Sequence, residues 1–330
     1  MIQLVHGENM TDLNYKIVNI EKLLNNIKLI KQEYSYEHYI LDVSNDAFYH
    51  GMELISYLDD EFHYLYVHSL FDVLKIRKYN KDISIIFNGL ITENNLFDLI
   101  VNNTIIVIHD LKTIEEIISF KIKDKLEIIL HIDPLGYHGF AKKEDILYVL
   151  EEIKKNTHLK IIGIESFVSL STYEEFKHII SPLKDLKLKI LNHEQDKNKI
   201  KGSNAIRLID SVYGTIKNKK VFFKKEEIKY QPIMSIRSTI INIKRELKHK
   251  KEIYTGVIPF GTINGMNVQA NNARIKDKSY SIKEIFEDYS LIEIDESINI
   301  NDTVEILIEN SFSLSNIPTS YEINNSVKQI

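Results

Sequence analysis

Short apolar runs recur along the first two thirds of the chain, and most are followed by a stretch whose apolar positions fall three and four residues apart. The runs are 38–44 (HYILDVS), 64–69 (YLYVHS), 82–89 (DISIIFNG), 104–110 (TIIVIHD), 126–134 (LEIILHIDP), 159–167 (LKIIGIESF), 186–193 (LKLKILNH) and 205–213 (AIRLIDSVY). Segments with helical spacing lie at 47–58, 111–120, 144–155 and 172–180. Runs that are apolar throughout, rather than at every second position, suit strands buried on both faces. Their alternation with helices predicts a parallel sheet. Eight such units predict a (β/α)8 barrel over residues 1–225, with a doubly wound sheet as the structural alternative.

From about residue 225 the helical spacing stops. Short β-type runs follow at 233–243, 253–260, 290–294 and 304–308, separated by the turn pairs Asn264-Gly265, Asn271-Asn272 and Asn301-Asp302. A second, all-β domain is predicted over 226–330. No Pro-rich or Gly/Ser-rich linker separates the halves, so they are expected to pack together. The charge run 217–229 reads as a solvated connection, and 324–330 as a fraying end.

Composition narrows the possible functions. The chain has 330 residues, 42 Lys+Arg against 47 Asp+Glu, and a net charge of −5, which argues against a general nucleic-acid or anionic-membrane binder. A hydrophobic share of 44% is enough for a sizeable core. Without cysteine there is no disulfide, thiolate metal site or cysteine nucleophile. The first residues lack the charged and apolar regions of a secretion signal, and no apolar run is long enough to span a bilayer. A cytoplasmic protein is expected.

In a barrel of this type chemistry sits where the strands end. Those ends offer Ser44, His68, Asn88, His109 with Asp110, Asp133, Ser166 and Asn192 with His193, while Arg207 lies within the eighth run. Such a polar mouth suits a small-molecule ligand, although strand ends are also polar simply because loops begin there. The histidines show neither HxxxH nor HExxH spacing, so no metal is expected. The sequence has no GxGxxG, GxxxxGK[ST] or GxSxG motif, which excludes those phosphate loops and the hydrolase elbow. One reading of the mouth is an acid–base pocket built from His109, Asp133 and His138.

Several motifs, in order, resemble those of the alanine racemase family. They are Ala47-Phe48-Tyr49-His50-Gly51, His131-Ile132-Asp133 with Gly139-Phe140, and Ser203-Asn204-Ala205-Ile206-Arg207-Leu208 through Tyr213-Gly214. In the second half they are Pro232-Ile233-Met234-Ser235-Ile236-Arg237-Ser238, Ile258-Pro259-Phe260-Gly261 with Asn264-Gly265, and Ser320-Tyr321-Glu322-Ile323. The resemblance implies a barrel that holds pyridoxal 5′-phosphate, a C-terminal β domain and a homodimer. It implies that Arg207 faces the pyridine nitrogen and that Tyr321, with Phe48 and Asn192, lies around the cofactor. Tyr254 falls at the position of the catalytic tyrosine, and Asp288 and His138 fall on the substrate side.

The same alignment shows what the chain lacks. The lysine that should form the Schiff base falls at Ser44, and no lysine occurs between Lys31 and Lys75. A serine hydroxyl cannot form an imine. The family's barrel arginine falls at His138, its supporting histidine at Phe167, and a phosphate-side serine at His193, while Asp210 adds negative charge near the expected phosphate. The stretch from Tyr254 to Pro259 is too short for the family's strand and loop, so Tyr254 also reads as an ordinary strand residue. Two functional readings follow. In one, an alanine-racemase-like protein has lost Schiff-base catalysis and binds pyridoxal phosphate non-covalently or not at all, acting as a binding or regulatory paralogue. In the other, a divergent racemase interconverts L- and D-amino acids with a lysine from elsewhere.

Overall fold

A computed structural model describes residues 13–58, 61–193, 200–214, 230–249, 251–266, 272–307, 317–323 and 326–329. The chain opens with strand β1 (Tyr15–Asn19) and the helix Ile20–Glu33. Eight strands follow: β2 (His38–Asp42), β3 (Tyr64–Val67), β4 (Ser84–Phe87), β5 (Thr104–Ile108), β6 (Leu126–His131), β7 (Leu159–Glu165), β8 (Leu188–His193) and β9 (Ala205–Leu208). They close into a barrel in sequence order, and all their pairings are parallel. β9 returns to β2 with Ile40 opposite Arg207. The eight apolar runs are thus the eight barrel strands, as expected of segments buried on both faces. Ile40, Tyr66, Ile86, Val107, Ile129 and Ile190 belong to one buried cluster. Each such side chain contributes roughly 1.5–3 kcal/mol by leaving water.

Helices at Leu111–Ser119, Lys143–Lys155 and Tyr173–Ile180 match three of the four expected segments within two residues. The helix expected over 47–58 does not form. Instead Asn45, Asp46, Ala47, Phe48 and Tyr49 take φ between 52° and 64°, a left-handed turn, followed by a short 3-10 helix at Met52–Tyr57. Left-handed backbone costs L-residues about 1–2 kcal/mol each, so contacts outside the turn must hold it. The Asp72 carboxylate supplies two of them: Asn45 N–H donates to Oδ2 (3.2 Å) and Asp46 N–H to Oδ1 (3.0 Å). Tertiary hydrogen bonding here overrides a helical apolar period.

The remaining strands are β10 (Met234–Thr239), β11 (Asn242–Lys248), β12 (Lys251–Ile258), β13 (Asn272–Ile275), β14 (Lys278–Ile285), β15 (Ser290–Ile294), β16 (Thr303–Leu307), β17 (Thr319–Ile323) and β18 (Ser326–Gln329). With β1 they form a ten-stranded sheet in the order β11-β12-β15-β14-β13-β16-β10-β1-β17-β18. The expected strand 233–243 is two strands, β10 and β11, because the chain turns between Thr239 and Asn242. β1 pairs with β10 and β17, so the second unit is assembled from both ends of the chain: residues 1–29, 48–51 and 212–330 form one compact unit, and 30–47 with 52–211 the other. The charge run 217–229 lies outside the described residues. No helix among the described residues is long and apolar enough to cross a membrane.

Candidate functional site at the barrel mouth

The C-terminal ends of the barrel strands converge on a guanidinium. Arg207, on β9, is nearly buried, and its Nε donates to Asp42 Oδ2 (3.0 Å) while Nη2 bonds the same oxygen. Nη1 lies 3.4 Å from Glu165 Oε1, and Nη2 is 3.4 Å from His68 Nε2. The Tyr66 ring covers the guanidinium with its centroid 3.7 Å from the central carbon. Asp42 and Glu165 are almost fully buried. Burial by itself works against the charge on Arg207, but the neighbouring Tyr66, Asp42 and Glu165 outweigh it and hold the proton more firmly.

A chain of hydrogen bonds runs outward from this cluster. Tyr66 donates its hydroxyl to Glu165 Oε2 (2.8 Å) and accepts from Asn88 Nδ2 (2.5 Å). Burial, then the Glu165 charge, pushes the Tyr66 phenol well above its usual range, so it stays protonated. Asn88 Oδ1 lies 2.6 Å from His109 Nε2, an arrangement that assigns the His109 proton to Nε2. His109 is pushed down to about 4, chiefly by burial and then by His131 and His138. The three imidazoles sit together, with ring centres 4.1 Å apart for His109 and His138, 4.8 Å for His109 and His131, and 5.5 Å for His131 and His138. His131 Nδ1 is 3.6 Å from Glu165 Oε2. No group of three or more metal-ligating side chains among the described residues is arranged to hold an ion.

The structure joins some of the sequence candidates and separates others. Arg207, His109 and His138 share this mouth. Asp133 sits beside it, but its carboxylate is taken by the backbone N–H groups of Leu135 (2.9 Å), Tyr137 (2.7 Å) and His138 (2.8 Å). Burial raises this carboxyl, and the His138, Leu135 and Tyr137 donors more than offset that, leaving it below its usual range. It shapes the loop and is a poor general base. The Asn192 amide closes a local loop, donating to Ile200 O (3.3 Å) and accepting from Ile200 N–H (2.7 Å). Nothing is described for the His193 side chain.

Ser44 ends up just past β2, at the start of the left-handed turn. It is 3% exposed, its N–H donates to Asp42 Oδ1 (3.0 Å), and its Oγ is buried without a hydrogen-bond partner.

The other candidates belong to the second unit. There the loop 48–51 is held by side chains of the sheet. Lys16, on β1, donates Nζ to Tyr49 O (2.6 Å), and Tyr321, on β17, donates its hydroxyl to His50 O (3.0 Å). Phe48 and His50 pack on the Tyr213 ring at 5.5 and 4.6 Å. Tyr254 is a half-buried strand residue of β12 whose hydroxyl donates to Glu252 Oε2 (2.6 Å), a bond that raises its pKa and makes it harder to ionise. Asp288 is exposed in the turn between β14 and β15.

Sequence reasoning missed Asp42, Glu165 and Tyr66. The signal was present: a lone carboxylate inside an apolar strand, as in HYILDVS and IIGIES, needs a buried cation, and Arg207 was the one arginine in a barrel strand. Lys16 inside YKIVN is a similar case.

A family model for the alanine racemase N-terminal domain matches residues 18–204, more than half of the chain. The chain belongs to the alanine racemase family. Its sequence is 23% identical to an alanine racemase of Borreliella burgdorferi over 89% of this chain and 88% of that protein. In fold it is similar to the alanine racemase of Clostridium difficile 630 in complex with cycloserine (TM-score 0.79, 18% identity, 97% of this chain and 98% of that one). It is equally similar to an alanine racemase from Oenococcus oeni (TM-score 0.81, 16% identity, 96% and 100%) and to a histidine racemase from Leuconostoc mesenteroides (TM-score 0.79, 15% identity, 96% and 99%). The barrel-plus-sheet architecture is that of the family.

The residues present do not fit a covalently held pyridoxal phosphate. The position where the resemblance expects the amine carries the Ser44 hydroxyl. The guanidinium expected to face the ring nitrogen is bonded to Asp42, lies 3.4 Å from Glu165 and sits under the Tyr66 ring. The Tyr321 hydroxyl donates to a main-chain carbonyl.

Proposed function

We propose that this member of the family has lost Schiff-base catalysis and acts as a binding or regulatory paralogue whose barrel mouth receives a small molecule. One observation carries the reading: a buried hydroxyl at Ser44, unpartnered among the described residues, stands next to Asp42 at the position where the resemblance puts the family's amine. The buried ion cluster around Arg207 supports it, because Asp42 and Glu165 fix where the guanidinium points. Pyridoxal phosphate, if taken up, is held without a covalent bond. His138 and Asp288 have no catalytic duty in this reading, and Tyr254 is a strand residue. The chain works as a cytoplasmic homodimer, a state carried over from the resemblance.

The alternative, a divergent racemase, draws on the 23% identity to a named alanine racemase. Incubation of the purified protein with pyridoxal phosphate and L-alanine in deuterated water separates the two. The expected result is no D-alanine and no deuterium at the α-carbon at high protein concentration. Enzyme-dependent exchange at that carbon, with D-alanine appearing, would overturn the proposal.

A further inference from the structure

The opposite end of the barrel holds a cleft of about 640 Å³, within the range of small-molecule sites. It lies where strands β4 to β7 begin, with Ser84, Thr104, Leu126 and Leu159 in its wall. β6 is six residues long, so this cleft is roughly 15 Å or more along the strand from the Arg207 cluster. Its chemistry differs from that of the mouth. Lys125, Lys160 and His158 line it, and Glu127 is its carboxylate.

Two features point to an anionic occupant. Lys125 pairs with no carboxylate among the described residues. Lys160 Nζ sits 3.2 Å from Glu127 Oε1, but both side chains are largely exposed, and such a pair is weak enough for a ligand to compete for the lysine. Two ammonium groups against one carboxylate leave the cleft net positive. Asn103 and Thr157 add polar groups around it, and Ile100 and Ile105 an apolar wall.

We propose that the N-terminal end of the barrel is a second ligand site, for a small oxyanion of the carboxylate or phosphate class. Lys125 and Lys160 supply the counter-charge, and Asn103 and Thr157 add polar groups beside them. The site shares no residue with the mouth and is independent of whether the chain retains catalysis.

Isothermal titration of the full-length protein with inorganic phosphate and, separately, with succinate tests this and distinguishes the two sources of the anion. At least one should bind with 1:1 stoichiometry. The double variant K125Q/K160Q should weaken that binding by about a hundredfold, from the loss of charge-assisted hydrogen bonds. The variant K244Q/K251Q, which removes two lysines from the sheet of the other unit, should bind as the unaltered protein does. Unchanged far-ultraviolet circular dichroism shows that the substituted proteins are folded. Absence of binding by either anion, or binding that K125Q/K160Q leaves within a factor of two, overturns the site.

Discussion

Arg207, Asp42 and Glu165 show what a single buried charge demands. A guanidinium inside a barrel is tolerated only with partners, and removing one of them leaves the other desolvated and unpaired. Asp42→Asn keeps the shape but takes away the carboxylate that receives two of the arginine's bonds. A loss of about 3 kcal/mol in unfolding free energy is expected, measured by urea titration at neutral pH. A change below about 0.5 kcal/mol would show that the cluster is not the buried ion pair described here. His109 makes a second prediction at this scale. Its folded pKa of about 4 lies below the ordinary 6.5, so between those values the unfolded chain binds a proton that the native chain does not. Its contribution is therefore complete above pH 6.5 and lost as pH falls towards 4, by roughly 1–2 kcal/mol after screening of this partly exposed ring. Urea midpoints at pH 7 and pH 5 should differ accordingly, and H109Q should flatten that difference. An equal slope in H109Q would assign the effect to other groups.

Among the elements, the left-handed turn is where sequence pattern and structure part company. The spacing of apolar residues over 47–58 reads as a helix because hydrophobic period reports burial, and Ala47, Met52, Leu54 and Ile55 are indeed buried. It does not report handedness, which is set by Asp72, some 25 residues on and outside any local window. The eight barrel strands were legible for the opposite reason: each carries its own signal in a continuous apolar run. β1 was not, since five residues ahead of a long helix show no strand context until β10 and β17 pair with it. Asp72 also accepts from the Ser69 hydroxyl (2.7 Å) at the start of the helix Leu70–Tyr79. Asp72→Ala should therefore release both ends at once, with a cost of about 2–3 kcal/mol by urea titration and faster amide exchange at Asn45 and Asp46. Protection at those two amides as strong as in the parent chain would mean that the turn is held by something else.

For the whole molecule, family membership and chemistry have to be argued separately. A barrel and sheet can be kept while the groups at the strand ends change, because packing is set by the apolar runs and reactivity by a few polar residues. The resemblance singles out Ser44 as the position on which the chemistry turns. It could not show that Arg207 is paired with carboxylates, because those partners come from β2 and β7, far away in the chain. The central claim is that no amine at the barrel mouth captures an aldehyde. Incubation with pyridoxal phosphate, reduction with borohydride and peptide mass spectrometry test it most directly. The account predicts no saturable, stoichiometric pyridoxyl adduct, only scattered substoichiometric labelling of surface lysines. One pyridoxyl group per chain on a single lysine, formed at saturation and accompanied by an imine absorption band, would contradict it.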